Sequence, residues 1–179
     1  EFETPMRSSA WTPRRARIRL LVPGEPERVL HEFARSEDQD RTVLPRNAPS
    51  GSVEGRVALA LDDVGAGSVL VTDERLSEST IAHARDKGAA AVLSGRLREL
   101  NSDPTGKARH LDAIAYTSVP ADCALPVAMI SPRSLAAIRE AAHRDPEARI
   151  AFEAEVELVE RPLRTLVATI IGTEAPDET

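Results

Sequence analysis

Between residues 53 and 171, short apolar runs alternate with two helix-like stretches, and this alternation limits the possible folds more than any other feature. Val53–Leu61 reads as a strand, and Ser68–Val71 as a short apolar strand set off by Gly65-Ala66-Gly67. Ser77–Lys87 has helical spacing with Ile81 and Ala84 inward, and Gly88 stands where a helix would stop. Ala90–Leu93 reads as a buried strand. Residues 95–110 are polar and include Asn-Ser-Asp-Pro-Thr-Gly, which marks a loop. Ala113–Tyr116 and Val127–Ile130 are two more short strands by pattern. Ser131 followed by Pro132 is a helix start, because proline lacks the N–H that the first turn leaves unused. In that second helix Leu135, Ile138 and Ala142 face inward, and Asp145-Pro146 ends it. Arg149–Val159 alternates with period two: Ile150, Phe152, Ala154, Val156 and Leu158 inward, Glu153, Glu155 and Glu157 outward. Pro162 breaks that run before a last strand, Thr165–Ile171. The expectation is a mixed α/β fold with about seven strands and two main helices.

Residues 1–50 look irregular. One strand is expected at Arg15–Val22, ended by Pro23-Gly24, and a short helix over Pro26–Arg35, with Val29, Leu30 and Phe33 at helical spacing. The polar stretch Ser36–Asp40 and the Pro/Asn/Ser/Gly-rich connection Pro45–Ser52 suggest a boundary. The chain therefore divides into residues 1–50, 51–171 and 172–179.

At 179 residues with 41% hydrophobic side chains, the chain can bury a proper core, and wholesale disorder is not expected. Aromatic residues make up 3%, so Val, Leu, Ile and Ala must build that core, and base stacking on aromatic rings is not the expected binding mode. The net charge of -6 argues against phosphate backbones and anionic lipids unless cations are concentrated in one place. Arg14, Arg15, Arg17 and Arg19 are the one such concentration. The last three alternate with Ala16, Ile18 and Leu20, which reads as a solvated strand face; an anion or partner site is the alternative. No apolar run approaches the length of a membrane span. Glu1-Phe2-Glu3-Thr4-Pro5 has neither the basic start nor the apolar stretch of a signal peptide, and a processed fragment is the expectation.

Few residues offer chemistry. The histidines are His31, His83, His110 and His143, and a metal centre needs several ligands converging on one point. His110-Leu111-Asp112 places two ligand types on one side of an extended segment, but no acidic cluster follows it, and a surface loop explains it as well. Gly65-Ala66-Gly67 lacks the third glycine and the following helix of a dinucleotide loop, so it reads as a turn between strands. Neither Ser94 nor Ser131 lies in Gly-x-Ser-x-Gly, and Ser131 is explained as a helix cap. Cys123, the single cysteine, rules out an internal disulfide and reads as a small buried hydrophobe. The glutamates of residues 152–160 read as the wet side of an amphipathic strand. No catalytic, cofactor-binding or metal-ligating residue is assigned.

Three stretches, Ala82–Leu93, Leu125–Ser131 and Arg164–Glu178, together resemble the protease-associated region of zinc exopeptidases related to aminopeptidase Y, carboxypeptidase Q and glutamate carboxypeptidase. Ala82-His83-Ala84-Arg85-Asp86-Lys87-Gly88-Ala89-Ala90-Ala91-Val92-Leu93 resembles that domain's helix-to-strand step. Leu125-Pro126-Val127-Ala128-Met129-Ile130-Ser131 is similar to the apolar strand before its second helix. The run from Arg164 through Ile171 to Glu178 looks like the segment leading into the peptidase domain. One departure stands out: many such domains carry an Arg-Gly-x-Cys-x-Phe-like stretch before the first helix, where this chain reads Thr72-Asp73-Glu74-Arg75-Leu76-Ser77.

The resemblance implies a swivelling β/β/α domain over residues 51–171, with residues 172–179 beginning the connection to a peptidase domain. It implies that the zinc ligands, starting with a His-x-Asp, lie beyond Thr179, so that this chain is not itself an enzyme and holds no cofactor. It further implies a partner in the parent protein's own catalytic domain, a possible contact with peptide substrate, and a secreted or cell-surface setting. Influence on substrate access or protein contacts is the expected role. The alternatives are an independent peptide- or ligand-binding module and a small enzyme with a site at His110 and Asp112.

Overall fold

A computed structural model describes residues 2–4, 10–34, 42–97, 110–159 and 163–165. The strands are β1 (Phe2–Thr4), β2 (Ala10–Leu21), β3 (Arg28–Ala34), β4 (Gly51–Ala58), β5 (Val69–Thr72), β6 (Ala91–Ser94), β7 (Val127–Met129), β8 (Arg149–Val159) and β9 (Leu163–Thr165). The α-helices are α1 (Glu78–Asp86) and α2 (Pro132–Arg144), with a 3-10 turn at Leu61–Asp63. Seven strands form one mixed sheet in the order β3-β2-β8-β4-β5-β6-β7. The fold is α/β, as the alternation of runs and helices required.

Two compact units divide the chain. The larger is Pro13–Glu157; the smaller comprises residues 1–12 and 158–179. Within the smaller, β1 pairs antiparallel with β9, Phe2 opposite Thr165.

The core of the larger unit is its parallel block. β4, β5, β6 and β7 run parallel, with Val69 opposite Ala91 and Val92 opposite Val127. Every residue of β5, β6 and β7 is buried. Strands covered on both faces favour apolar side chains at successive positions, which is why Val69–Val71, Ala91–Leu93 and Val127–Met129 read as continuous runs rather than alternating ones. α1 packs on β6 and α2 on β5. Gly95 follows β6 where there is no room for a side chain: a Cβ would come within 2.8 Å of Leu135 in α2. β8 returns antiparallel beside β4, Phe152 opposite Val53, and Ile150 and Phe152 are wholly buried.

Both helix starts are capped by serine, the second as the sequence indicated. The hydroxyl of Ser77 accepts the N–H of Thr80, and that of Ser131 accepts the N–H of Ser134. α1 is followed by Gly88 at φ +92°, a left-handed conformation that favours glycine.

Four local expectations are corrected. Residues 28–34 form strand β3, not a helix. β3 pairs antiparallel with β2, and the register shifts between Ile18 and Arg19: Ile18 faces His31 and Arg19 faces Val29. The extra residue, Leu30, interrupts the alternation and leaves Val29, Leu30 and Phe33 at helix-like spacing; long-range pairing then overrides that local pattern. Ala113–Tyr116 is not a strand. The nearby backbone instead makes one isolated bridge, Arg46 to Ser118, with the N–H of Arg46 on the carbonyl of Thr117, and Tyr116 is exposed. In α2 the third inward residue is Ala141 rather than Ala142, a step of three from Ile138. Leu158 is exposed, and it lies beyond Ala154, the last residue of β8 paired with β4. The polar stretch Ser36–Asp40, most of the loop 95–110, the strand Thr165–Ile171 beyond its first residue, and residues 172–179 lie outside the described residues.

Candidate functional site

The arginine face of β2 lies against glutamates from both neighbouring strands. Arg14 pairs with Glu157 of β8. Arg15 is 3.9 Å from Glu153. Arg17 lies 3.6 Å from both Glu27 and Glu32. Arg19 bridges Glu27 at 3.0 Å and Glu153 at 2.7 Å. On the opposite face of β2, Ala16, Ile18 and Leu20 are buried. The arginines are thus a neutralised, solvated strand face. They do not form the free cationic patch that a polyanion requires. The glutamates of β8 supply the other half of the same arrangement.

The two potential ligands in His110-Leu111-Asp112 are not brought together as a metal site. Asp112 is held by Arg133 in a two-pronged pair, 2.7 Å from Nε and 3.0 Å from Nη2. That pair holds the Asp112 carboxyl below its ordinary range. The carbonyl of His110 accepts the N–H of Ala113 in a tight turn. His83 on α1 and His143 on α2 are exposed. Among the described residues no three His, Cys, Asp or Glu side chains gather to hold a metal ion.

The serines and the cysteine have structural partners. Ser94 is fully buried, and its hydroxyl donates to the carbonyl of Glu74 at 2.5 Å. Ser131 caps α2. Cys123 is half-buried and donates to the carbonyl of Leu125 at 3.3 Å; burial pushes its thiol above the ordinary range, which suppresses the thiolate.

The turn Gly65-Ala66-Gly67 is built for packing rather than for phosphate. The Ser68 hydroxyl donates back to the carbonyl of Gly65 at 2.8 Å, and the N–H of Gly67 is taken by the carbonyl of Gly88 at 2.8 Å. A strand follows, so no helix N-terminus faces the loop. This turn lines an open pocket of about 650 Å³ together with Glu54, Arg56, Asp63, His143 and Arg149. Four charges at or beside it are paired: Arg149 with Glu54 at 3.1 Å, and Arg56 with Glu147 at 3.4 Å.

A smaller pocket of about 250 Å³ joins three segments distant in sequence: β3 through His31, the turn at residues 110–112 through Asp112, and the start of α2 through Ser131 and Arg133. His31 was not singled out in the sequence. Reading residues 26–35 as a helix hid its partner across the sheet, and no local signal ties it to α2.

No protein-family profile matches the chain, and no curated protein matches it. A solved structure does: that of a peptidase M28 precursor from Shewanella amazonensis, with a TM-score of 0.58 at 16% sequence identity. The likeness is one of fold. It covers 89% of this chain and 38% of the precursor's, so the chain spans well under half the length of that protein. Among the described residues no helix is long and apolar enough to cross a membrane.

Proposed function

We propose that this chain is the non-catalytic, protease-associated-type region of a zinc metallopeptidase, a swivelling β/β/α domain that influences which substrates or partner proteins reach the catalytic domain. The observation that carries this reading is the lopsided overlap with the peptidase M28 precursor: nearly all of this chain matches little more than a third of that one. One region of a larger peptidase would give an overlap of that kind. The resemblance of residues 82–93, 125–131 and 164–178 to the protease-associated region supports the same reading from the sequence. So does the pairing of Glu54 with Arg149 and of Asp112 with Arg133 in the two pockets. In this reading zinc belongs to the peptidase domain and the principal partner of this region is that domain.

The test is made in the parent enzyme. Residues 53–157 are replaced with a short Gly/Ser linker, and retention of fold and zinc by the catalytic domain is verified. The ratio of kcat/KM for a single-residue chromogenic substrate to that for a longer peptide is then compared with wild type. A contact worth about 1.4 kcal/mol to one substrate moves that ratio roughly tenfold. A shift of several-fold is expected. An unchanged ratio would leave the region no part in substrate choice and favour an independent binding module.

A further inference from the structure

The start of α2 satisfies its free N–H groups in an unusual way. Ser134 N–H goes to the Ser131 hydroxyl, Arg133 N–H to the carbonyl of Leu111 at 3.0 Å, and Pro132 has none. The remaining donor, Ser131 N–H, goes to a side chain one hundred residues away: it donates to Nε2 of His31 at 3.2 Å. A helix start leaves these groups without intrahelical partners, and here an imidazole lone pair supplies one of the missing acceptors. The same hydrogen bond ties β3, at the edge of the sheet, to the second helix.

We propose that His31 is an acid-sensitive latch, holding β3 against the start of α2 while its ring is neutral and releasing it when the ring is protonated. An imidazole that accepts at Nε2 carries its single proton on Nδ1. A second proton occupies the accepting lone pair and turns Nε2 into a donor facing another donor. The surroundings sharpen this. The helix N-terminus carries partial positive charge, and the charged residues around the pocket are Arg28 from β3, Arg133 from α2 and Asp112 from the turn. Asp112 is the one group that favours an imidazolium, and it is already engaged by both prongs of Arg133.

Partial burial moves the His31 titration below its ordinary position, with Asp112 opposing the shift. The sign follows from that. A histidine with a lowered folded-state pKa contributes stability that is fully present above its unfolded value near 6.5 and is lost as pH falls through the folded value. The latch is therefore closed at neutral pH and opens on acidification.

The test uses the 179-residue chain and two NMR readouts: the nitrogen shifts of the His31 ring, and the hydrogen-exchange protection factor of the Ser131 amide. Both are followed from about pH 7.5 to about pH 5, the range in which imidazoles titrate. The Nδ1-protonated tautomer is expected at the upper end. Ser131 protection should fall about tenfold, the scale of one lost hydrogen bond, with the midpoint of the ring titration. In His31→Gln the side-chain oxygen still accepts but does not titrate, so Ser131 protection should be independent of pH. An Nε2-protonated ring, or Ser131 protection that ignores the ring titration, overturns the proposal. A His31→Gln chain with the wild-type pH dependence does so as well. The wild-type readouts decide the matter by themselves if His31→Gln fails to fold.

Discussion

Gly67 donates its backbone N–H to the carbonyl oxygen of Gly88 across 2.8 Å, and both residues have positive φ. The turn before β5 is thus docked on the residue that ends α1. One residue beyond Gly67 and two beyond Gly88, Ala90 N–H reaches the carbonyl of Ser68 at 2.7 Å, so the contact runs directly into the parallel pairing of β5 with β6. Gly55 of β4 completes the junction, because a Cβ there would collide with the Gly67 carbonyl.

This junction makes Gly88→Val strongly destabilising. The residue sits at φ +92°, and even a Cβ would come within 3.1 Å of the Ala66 backbone. A β-branched side chain adds to both penalties, and a loss of roughly 1 kcal/mol or more is expected. Urea unfolding of wild type and variant measures it; an unchanged midpoint would mean that α1 does not need its left-handed ending.

Removing the cap of α2 should cost about 1 kcal/mol, the usual loss when a serine N-cap becomes alanine. In Ser131→Ala the N–H of Ser134 loses its acceptor, and the site is buried enough to exclude easy replacement by water. Denaturant midpoints measure the loss. The backbone hydrogen bond from Ser131 to His31 does not involve the hydroxyl, so the amide protection of residue 131 near neutral pH should stay close to wild type.

Cys123 should react slowly. Its half-buried thiol is held above the ordinary range by desolvation, with the nearby Asp122 adding to the shift and the bond to Leu125 opposing it. Only the thiolate attacks an alkylating reagent. At about pH 8, near the ordinary thiol value, alkylation of the folded chain is therefore expected to be several-fold slower than of the urea-unfolded chain. Equal rates would mean that the thiol is neither shielded nor shifted.

The parts of this fold legible in the sequence are those whose signal is local. Ser77, Gly88, Ser131 and Pro132 announce the helix ends through their own backbone chemistry, and the runs at Val69–Val71 and Ala91–Leu93 announce buried strands through continuous apolarity. What was hidden depended on pairing. Leu30 disguises a strand as a helix because its bulge answers to β2, not to its own neighbours. The tie between His31 and Ser131 exists only once β3 is placed at the edge of the sheet. The neutralised arginine face was half legible: the alternation of Arg15, Arg17 and Arg19 gave the face, but the glutamates that meet it come from other strands.

The most direct test of the proposed function compares metal-dependent peptide hydrolysis by the 179-residue chain with hydrolysis by the whole polypeptide that its reading frame encodes. Both proteins are assayed on one panel of aminoacyl and peptidyl substrates with zinc present. The proposal expects turnover from the whole polypeptide, abolished by a chelator and restored by zinc, and none from the chain alone. Turnover by the repurified chain that disappears in His110→Ala would contradict it, and so would a whole polypeptide that hydrolyses nothing on the panel.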